Sequence, residues 1–335
     1  MKILLTHTPQ MRAQYYGEQA LAGLRGLGDV MLHEQADPLT PDALAAAAEG
    51  ADLIIADRLT PAPGLVFAQL PRLVAFLRCA VDIRNIDVAA ASAAGVLVTR
   101  ARPGFVASVA ELALGYLVDL SRGVSRATAE YQAGRLPEVR MGRQLAGSLA
   151  GIIGYGAIGR YLAPVLHALG MTVLIADPYV TIDDARFRQV SLPELLAACD
   201  YVICLAVASD ETEKLMDAAA FARMKPGAAF LNLSRGDLID EAALAAALRQ
   251  GRIAGAAMDV GRAADQMPTP DIAGLPNVIA TPHIGGLTPQ AVEAQALDTV
   301  AQVRELCAGA VPHGAVNANE WTRRIAPSEP DRRSS

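Results

Sequence analysis

Six residues, Gly154-Tyr155-Gly156-Ala157-Ile158-Gly159, stand between a short apolar run, Leu149–Ile153, and a segment with helical spacing that stops at Gly170. A second apolar run, Val173–Ala176, ends in Asp177. Strand, glycine-rich turn, helix, strand and acid within about thirty residues is the pattern that seats a dinucleotide. Gly154 permits the tight turn, Gly156 lets the main chain approach a pyrophosphate, and Gly159 lets the helix close on the sheet. The amino terminus of that helix offers free N–H groups and a dipole to the phosphates. Asp177 is placed to accept hydrogen bonds from an adenine-ribose diol and would repel a 2′-phosphate, so NAD rather than NADP is the expected cofactor.

Four more polar residues fall at the ends of strand-like apolar runs: Arg78, Arg235 in Asn232-Leu233-Ser234-Arg235-Gly236, Asp259, and His283 ahead of Ile284-Gly285-Gly286. In open α/β sheets, ligands lie beyond the carboxyl ends of the strands. Taken singly, each has a structural explanation: a solvated loop charge, a cap, a hydrogen-bonding histidine. His7, His33, His167 and His313 keep that explanation. Taken together, the set is chemical. A hydride-carrying cofactor needs a proton-carrying partner, and imidazole suits that task near neutrality. A planar guanidinium can grip a carboxylate on two sides and polarise the neighbouring carbonyl. The combination points to reversible reduction of a 2-oxo acid to a 2-hydroxy acid.

Alternating elements must position these groups. The pattern predicts strands over Lys2–Thr6, Val30–His33, Asp52–Ala56, Leu73–Leu77 and Val96–Thr99. Helices are expected over Met11–Leu24, over Pro41–Ala48 with Thr40 as cap, and over Asp87–Ala94. Such alternation indicates a parallel α/β unit. Pro103-Gly104 breaks it, a long apolar helix over Val106–Leu120 follows, and the alternation resumes from Leu149 to about Ile284. A last helix over Pro289–Cys307 carries Val292, Ala296, Val300 and Val303 on one face, and the charged tail 327–335 reads as disordered.

At 335 residues the chain suits two domains, and 52% hydrophobic residues allow sizeable cores. A net charge of −6 without any basic run argues against nucleic acid and anionic membranes as partners. The first apolar run is too short for a signal peptide, and no stretch approaches a membrane span. Cys79, Cys199, Cys204 and Cys307 have neither CxxC nor metal-ligand spacing, so no metal site is expected and a reducing cytoplasm is.

From about Arg78 to Gly286 the sequence resembles the D-isomer-specific 2-hydroxyacid dehydrogenases. The resemblance is carried in order by Asn85-Ile86-Asp87, Ser108-Val109-Ala110-Glu111, Gly154–Gly159, Met224-Lys225-Pro226-Gly227, Asn232–Gly236 with Asp240–Leu244, Met258-Asp259-Val260 and Thr281–Gly286. It implies two Rossmann-like α/β lobes with parallel sheets and an intervening cleft, the outer lobe from 1–100 plus 287–326 and the NAD lobe from 101–286. It assigns Arg235 to the substrate carboxylate and carbonyl and His283 to the proton. It places Arg78, Ala80, Val81 and Asp82 along the substrate. Cofactor contacts fall to Gly154, Gly156, Ala157, Ile158, Gly159 and Asp177, and to Leu233, Ser234, Asp259, His283, Gly285 and Gly286. A homodimer through the cofactor lobe is the family habit.

Two positions depart from the family pattern. Where its members carry a Glu bonded to the catalytic His, this chain has Ala264, with Asp265 beside it as the candidate substitute. The loop Cys79–Arg84, usually glycine-bearing, has Asp82, which repels an anionic substrate unless Arg78, Arg84 or His283 pairs with it. The rival readings are a non-catalytic NAD(H)-sensing protein of the same fold and a dehydrogenase of an atypical small acid.

Overall fold

The computed structural model describes residues 1–325, so the tail expectation for 327–335 lies outside the described residues. The chain divides into two units, one continuous from Phe105 to Thr288 and one split between Met1–Gly104 and the segment from Pro289 onward.

The split unit is built on short strands that read as unbroken apolar runs, as expected where helices cover both faces of a parallel sheet. Its strands are β1 (Lys2–Leu5), β2 (Asp29–Leu32), β3 (Leu53–Ala56), β4 (Ala75–Arg78) and β5 (Leu97–Arg100), all parallel, in the order β2-β1-β3-β4-β5. Alternation sends Ile3, Leu5, Leu53, Ile55 and Leu77 into one core with Ala296, Val300 and Val303 of the carboxy-terminal helix. Leu4, Ile54, Phe76 and Val98 go to the opposite core. There they meet Leu44 of α3 (Pro41–Ala47), Val66 and Phe67 of α4 (Gly64–Gln69) and Ala91 of α5 (Val88–Ala93).

One expected element is corrected. Met11–Leu24 is not one helix but two, α1 (Pro9–Tyr15) and α2 (Glu18–Arg25). Gly17, at φ 83°, turns the chain left-handed between them, which ends the hydrogen-bond ladder despite the continuing apolar spacing. Thr8 caps the first, its hydroxyl accepting from the Met11 N–H at 3.2 Å.

The carboxy-terminal helix, Pro289–Cys307, also buries polar residues that its apolar face does not announce. The Asp298 carboxylate accepts from the Arg102 N–H at 2.9 Å and from Arg102 Nε at 2.7 Å. Gln302 accepts from the Thr99 hydroxyl at 2.7 Å and donates to the Arg100 carbonyl at 2.9 Å. His313 lies with Nε2 2.9 Å from Asp298 and Nδ1 2.9 Å from Glu305. Burial opposes its charge, but the bonds to Glu305 and Asp298 outweigh burial and hold the imidazole above its usual range. A raised folded value stabilises fully below the unfolded value of about 6.5 and is lost as pH rises through the folded one. His313→Gln is therefore expected to cost about 1–3 kcal/mol at pH 6. The deficit narrows toward pH 9, as urea denaturation at several pH values will read. A deficit that grows with pH would remove the charged clamp.

The continuous unit carries seven parallel strands in the order β12-β11-β10-β9-β6-β7-β8. They are β6 (Leu149–Ile153), β7 (Thr172–Ala176), β8 (Arg188–Gln189), β9 (Tyr201–Cys204), β10 (Ala229–Asn232), β11 (Gly255–Met258) and β12 (Val278–Ala280). One face is covered by α6 (Val106–Arg122) through Val109, Ala113 and Leu117, and by α8 (Ala157–Ala168) through Leu162 and Leu166. The other is covered by α9 (Leu192–Ala198), α10 (Ala218–Arg223) and α11 (Glu241–Arg249) through Leu195, Phe221 and Leu244. Between α6 and β6, α7 (Val124–Gln132) buries none of its residues. A one-turn helix, α12 (Pro270–Ala273), precedes β12. Among the described residues no helix is long and apolar enough to cross a membrane.

Candidate active site

The order of the continuous sheet reverses at β6, with β7 on one side and β9 on the other. In open α/β sheets a ligand sits at the carboxyl ends of the strands where the order reverses. Gly154 follows β6 at φ 93°, and a Cβ on it would sit 2.6 Å from the Ala206 main chain beyond β9. Gly156 is the cap of α8, and nothing stands within 4 Å of where its Cβ would be. Ala157 is exposed and Ile158 half-buried in the first turn of a twelve-residue helix. Gly159 is buried, its Cβ position 2.6 Å from the Gly154 carbonyl oxygen. An open helix amino terminus with an acid beyond the neighbouring strand fits a dinucleotide. The acid has a second task. Asp177 accepts from the Tyr155 N–H at 2.7 Å and the Tyr179 N–H at 2.9 Å, which ties the glycine turn to the end of β7.

Three adjacent strands, β10, β11 and β12, deliver Arg235, Asp259 and His283 to the same edge of this sheet. Fully buried Asn232 shapes the first loop. Its side-chain Oδ1 accepts from the Ser234 N–H at 3.1 Å and its Nδ2 donates to the Arg235 carbonyl at 2.9 Å. The Ser234 hydroxyl donates to the Ala206 carbonyl, and Arg235 Nη1 donates to the Ser234 carbonyl at 2.7 Å. Leu233 is buried in the core beneath.

Asp259, only 2% exposed, faces inward. Its carboxylate accepts from the Thr281 hydroxyl at 2.5 Å, the Ile284 N–H at 2.9 Å and the Gly285 N–H at 2.8 Å. Its carbonyl accepts from the His283 N–H at 3.0 Å. All that geometry goes into shaping the loop His283–Gly286. Tyr116 of α6 adds a hydroxyl contact to Thr281. The His283 ring is half-buried, with Nδ1 2.8 Å from the main-chain carbonyl of Asp265. Ala264, at the position where the family carries its Glu, is exposed.

In the split unit, Arg78 is wholly buried at the end of β4. Its Nη2 donates to the Thr60 carbonyl at 2.8 Å and to the Asn85 side chain at 2.7 Å. Burial lowers its pKa to about 10 against the opposing charges of Asp57 and Asp82. Asp82 forms a two-bond ion pair with Arg84, Nε–Oδ1 3.1 Å and Nη2–Oδ2 2.8 Å, so one of the expected neutralising partners is in place. Ala80, Val81 and Asp82 are half-buried.

Two neighbours of Arg78, Asp57 and His7, are buried with it. Asp57 accepts from the Thr6 hydroxyl at 2.7 Å, from the Leu59 and Thr60 N–H groups, and from the Thr60 hydroxyl. Those bonds and the His7 charge hold its carboxyl below the usual range although burial pushes the other way. Burial pushes His7 down to about 4, against Asp57. Asp57 and His7 also follow apolar strands, the signal that picked out Arg78.

A family model described as the NAD-binding domain of D-isomer specific 2-hydroxyacid dehydrogenases matches residues 114–285. The chain is 37% identical over 244 residues to (S)-sulfolactate dehydrogenase of Chromohalobacter salexigens, covering 71% of this chain and 79% of that one. It is 34% identical over 306 residues to D-3-phosphoglycerate dehydrogenase of Mycobacterium leprae, covering 90% of this chain but only 57% of that protein's length. The solved structure of D-2-hydroxyisocaproate dehydrogenase superposes with a TM-score of 0.84 at 25% identity, covering 95% of this chain and all of that one. The chain thus belongs to the D-isomer specific 2-hydroxyacid dehydrogenase family, and its continuous unit carries the NAD-binding domain.

Proposed function

We propose that the chain interconverts a small 2-oxo acid and its D-2-hydroxy acid, with Arg235 holding the substrate carboxylate and carbonyl oxygen and His283 carrying the proton. When bound, NADH supplies the hydride that reduces carbon 2, and NAD takes it back in the reverse direction. The guanidinium of Arg235 offers a planar fork of donors to the two oxygens. His283 Nε2 gives its proton to the carbonyl oxygen as that atom gains charge, and recovers it from the hydroxyl in oxidation. The observation that carries the reading is the His283 contact. A carbonyl only accepts, so Nδ1 keeps its hydrogen and Nε2 is the nitrogen that exchanges. The two named relatives act on 2-hydroxy acids with a second anionic group, a sulfonate or a phosphate. That supports a 2-oxo acid with an acidic substituent on carbon 3 as the substrate class.

The test is oxidation of NADH with glyoxylate, pyruvate, 3-sulfopyruvate and 3-phosphohydroxypyruvate. At least one is expected to turn over at about 1 s⁻¹ or faster. Tight NADH binding with no turnover on any of them would leave a binding protein. With NADPH in place of NADH, kcat/KM is expected to fall at least about tenfold through repulsion at Asp177. Asp177→Ala narrows the gap. Equal use of both cofactors by the parent would sink that assignment.

We also propose a homodimer through the cofactor unit. The support is α7, which buries nothing, and the segment after it, where Val139 is 99% and Met141 100% exposed. Tyr131 and Leu136 extend the apolar surface. A second copy would cover what a lone chain leaves wet. Sedimentation velocity should give twice the chain mass for the parent and the chain mass for Val139→Asp/Met141→Asp. A parent that sediments as a single chain would refute it.

A further inference from the structure

We propose that the main-chain carbonyl of Asp265, presented by the left-handed turn Ala263–Met267, is the group that orients His283, in the place where a carboxylate side chain was expected. The proposal rests on the reading of His283 as the proton carrier and names what positions it. Nδ1 lies 2.8 Å from that carbonyl oxygen. Four non-glycine residues among those described have positive φ, and three of them meet here: Asp265 at 54°, Gln266 at 58° and His283 at 55°. Side chains disfavour this backbone region, so it persists only where the surroundings impose it, and it gathers at functional contacts.

Here the surroundings are visible on both sides. The turn is closed by the Gly261 N–H on the Gln266 carbonyl at 2.7 Å, the Gln266 N–H on the Ala263 carbonyl at 3.0 Å and the Ala263 N–H on the Met267 carbonyl at 3.0 Å. Glu241 anchors it to α11, accepting from the Arg262 N–H at 3.2 Å and the Thr269 hydroxyl at 3.0 Å. Arg262 in turn reaches Glu213 at 2.6 Å. On the other side Asp259 fixes the main chain of His283 and of the two residues that follow it.

A carbonyl differs from a carboxylate in what it brings. It fixes ring orientation and tautomer as a carboxylate does, but it is a dipole without a net charge and does not titrate. Position 265 therefore acts through its backbone conformation. Any residue that adopts φ near +54° will do, and its side chain will not set the tautomer.

The experiment compares Asp265→Asn, Asp265→Gly and Asp265→Val. Asn and Gly visit the left-handed region readily, whereas β-branched Val does not. The readouts are the His283 ring ¹⁵N shifts in the NADH-loaded protein and the pH dependence of kcat. With Asn and Gly, the Nδ1–H tautomer and the position of the pH limb are expected to match the parent. With Val, the tautomers mix and kcat drops tenfold or more while NADH affinity stays within about threefold. A changed tautomer or a displaced pH limb in both Asn and Gly would assign the orienting role to the carboxylate and overturn the proposal. So would a Val variant with the parent's tautomer. The tautomer is read without turnover, so these outcomes stand apart from a loss of His283 as proton carrier, which His283→Asn tests.

Discussion

Replacing His283 by Asn is expected to lower kcat by about 10²–10⁴-fold in 2-oxo-acid reduction, the usual contribution of a positioned acid. Asn is the informative choice because it tolerates the left-handed backbone that His283 adopts at φ 55°. The loop held by Asp259 can therefore persist and only the proton carrier is lost. NADH affinity should stay within about threefold of the parent. The sign of the pH dependence follows from the role: reduction needs the protonated ring, so the parent's reductive kcat falls as pH rises, whereas oxidation needs the neutral ring and gains. In the Asn variant both limbs flatten. Profiles of kcat against pH in both directions decide the matter. A variant that keeps more than about a tenth of the rate with the parent's profile would take His283 out of the reaction.

Arg235→Lys is expected to lose about 30-fold or more in kcat/KM, roughly 2 kcal/mol, the scale of a broken charge-assisted contact. Lysine keeps the charge but not the planar fork, so it meets one oxygen where the guanidinium meets two. The loss should appear as a raised KM together with a lowered kcat, because the second oxygen gains charge during reduction. Asn232 still templates the loop through the main chain of residues 234 and 235, so NADH affinity and thermal stability should change little. A Lys variant equal to the parent on its best 2-oxo acid would return Arg235 to the status of a loop charge.

Much of this site could be read from residue order alone, for a physical reason. Parallel strands end at one edge of the sheet, so whatever follows an apolar run is delivered to that edge. Arg235, Asp259 and His283 come out adjacent because β10, β11 and β12 are neighbours. The glycine fingerprint was equally legible, since Gly154 and Gly159 answer local steric demands and Gly156 leaves the space in front of the helix open.

The turn that meets His283 was not legible. Asp265 and Gln266 carry no mark of left-handed backbone, and the contact uses a carbonyl that every residue possesses. A side-chain carboxylate at Asp265 leaves a mark in the sequence, whereas the main-chain carbonyl that lies 2.8 Å from His283 leaves none. The buried polar side of the last helix escaped for a related reason. Apolar spacing locates a face, but Asp298 and Gln302 are buried by partners that come from Arg100, Arg102 and His313. The break at Gly17 was hidden by apolar spacing that runs straight across it.

The split of one unit between the two ends of the chain has a kinetic consequence during synthesis. A ribosome releases the amino-terminal strands first, then the whole cofactor unit, and only afterwards the helix Pro289–Cys307. Until that helix emerges, Ile3, Leu5, Leu53, Ile55 and Leu77 have no Ala296, Val300 or Val303 to cover them. The nascent chain thus carries a parallel sheet with one apolar face covered only in part, by Ala20, Leu21 and Leu24 of α2, while the later-made cofactor unit, being continuous, is already able to close its core. The unit whose strands are made ahead of the cofactor unit is therefore completed after it, and chaperone binding during that interval should centre on β1 to β5.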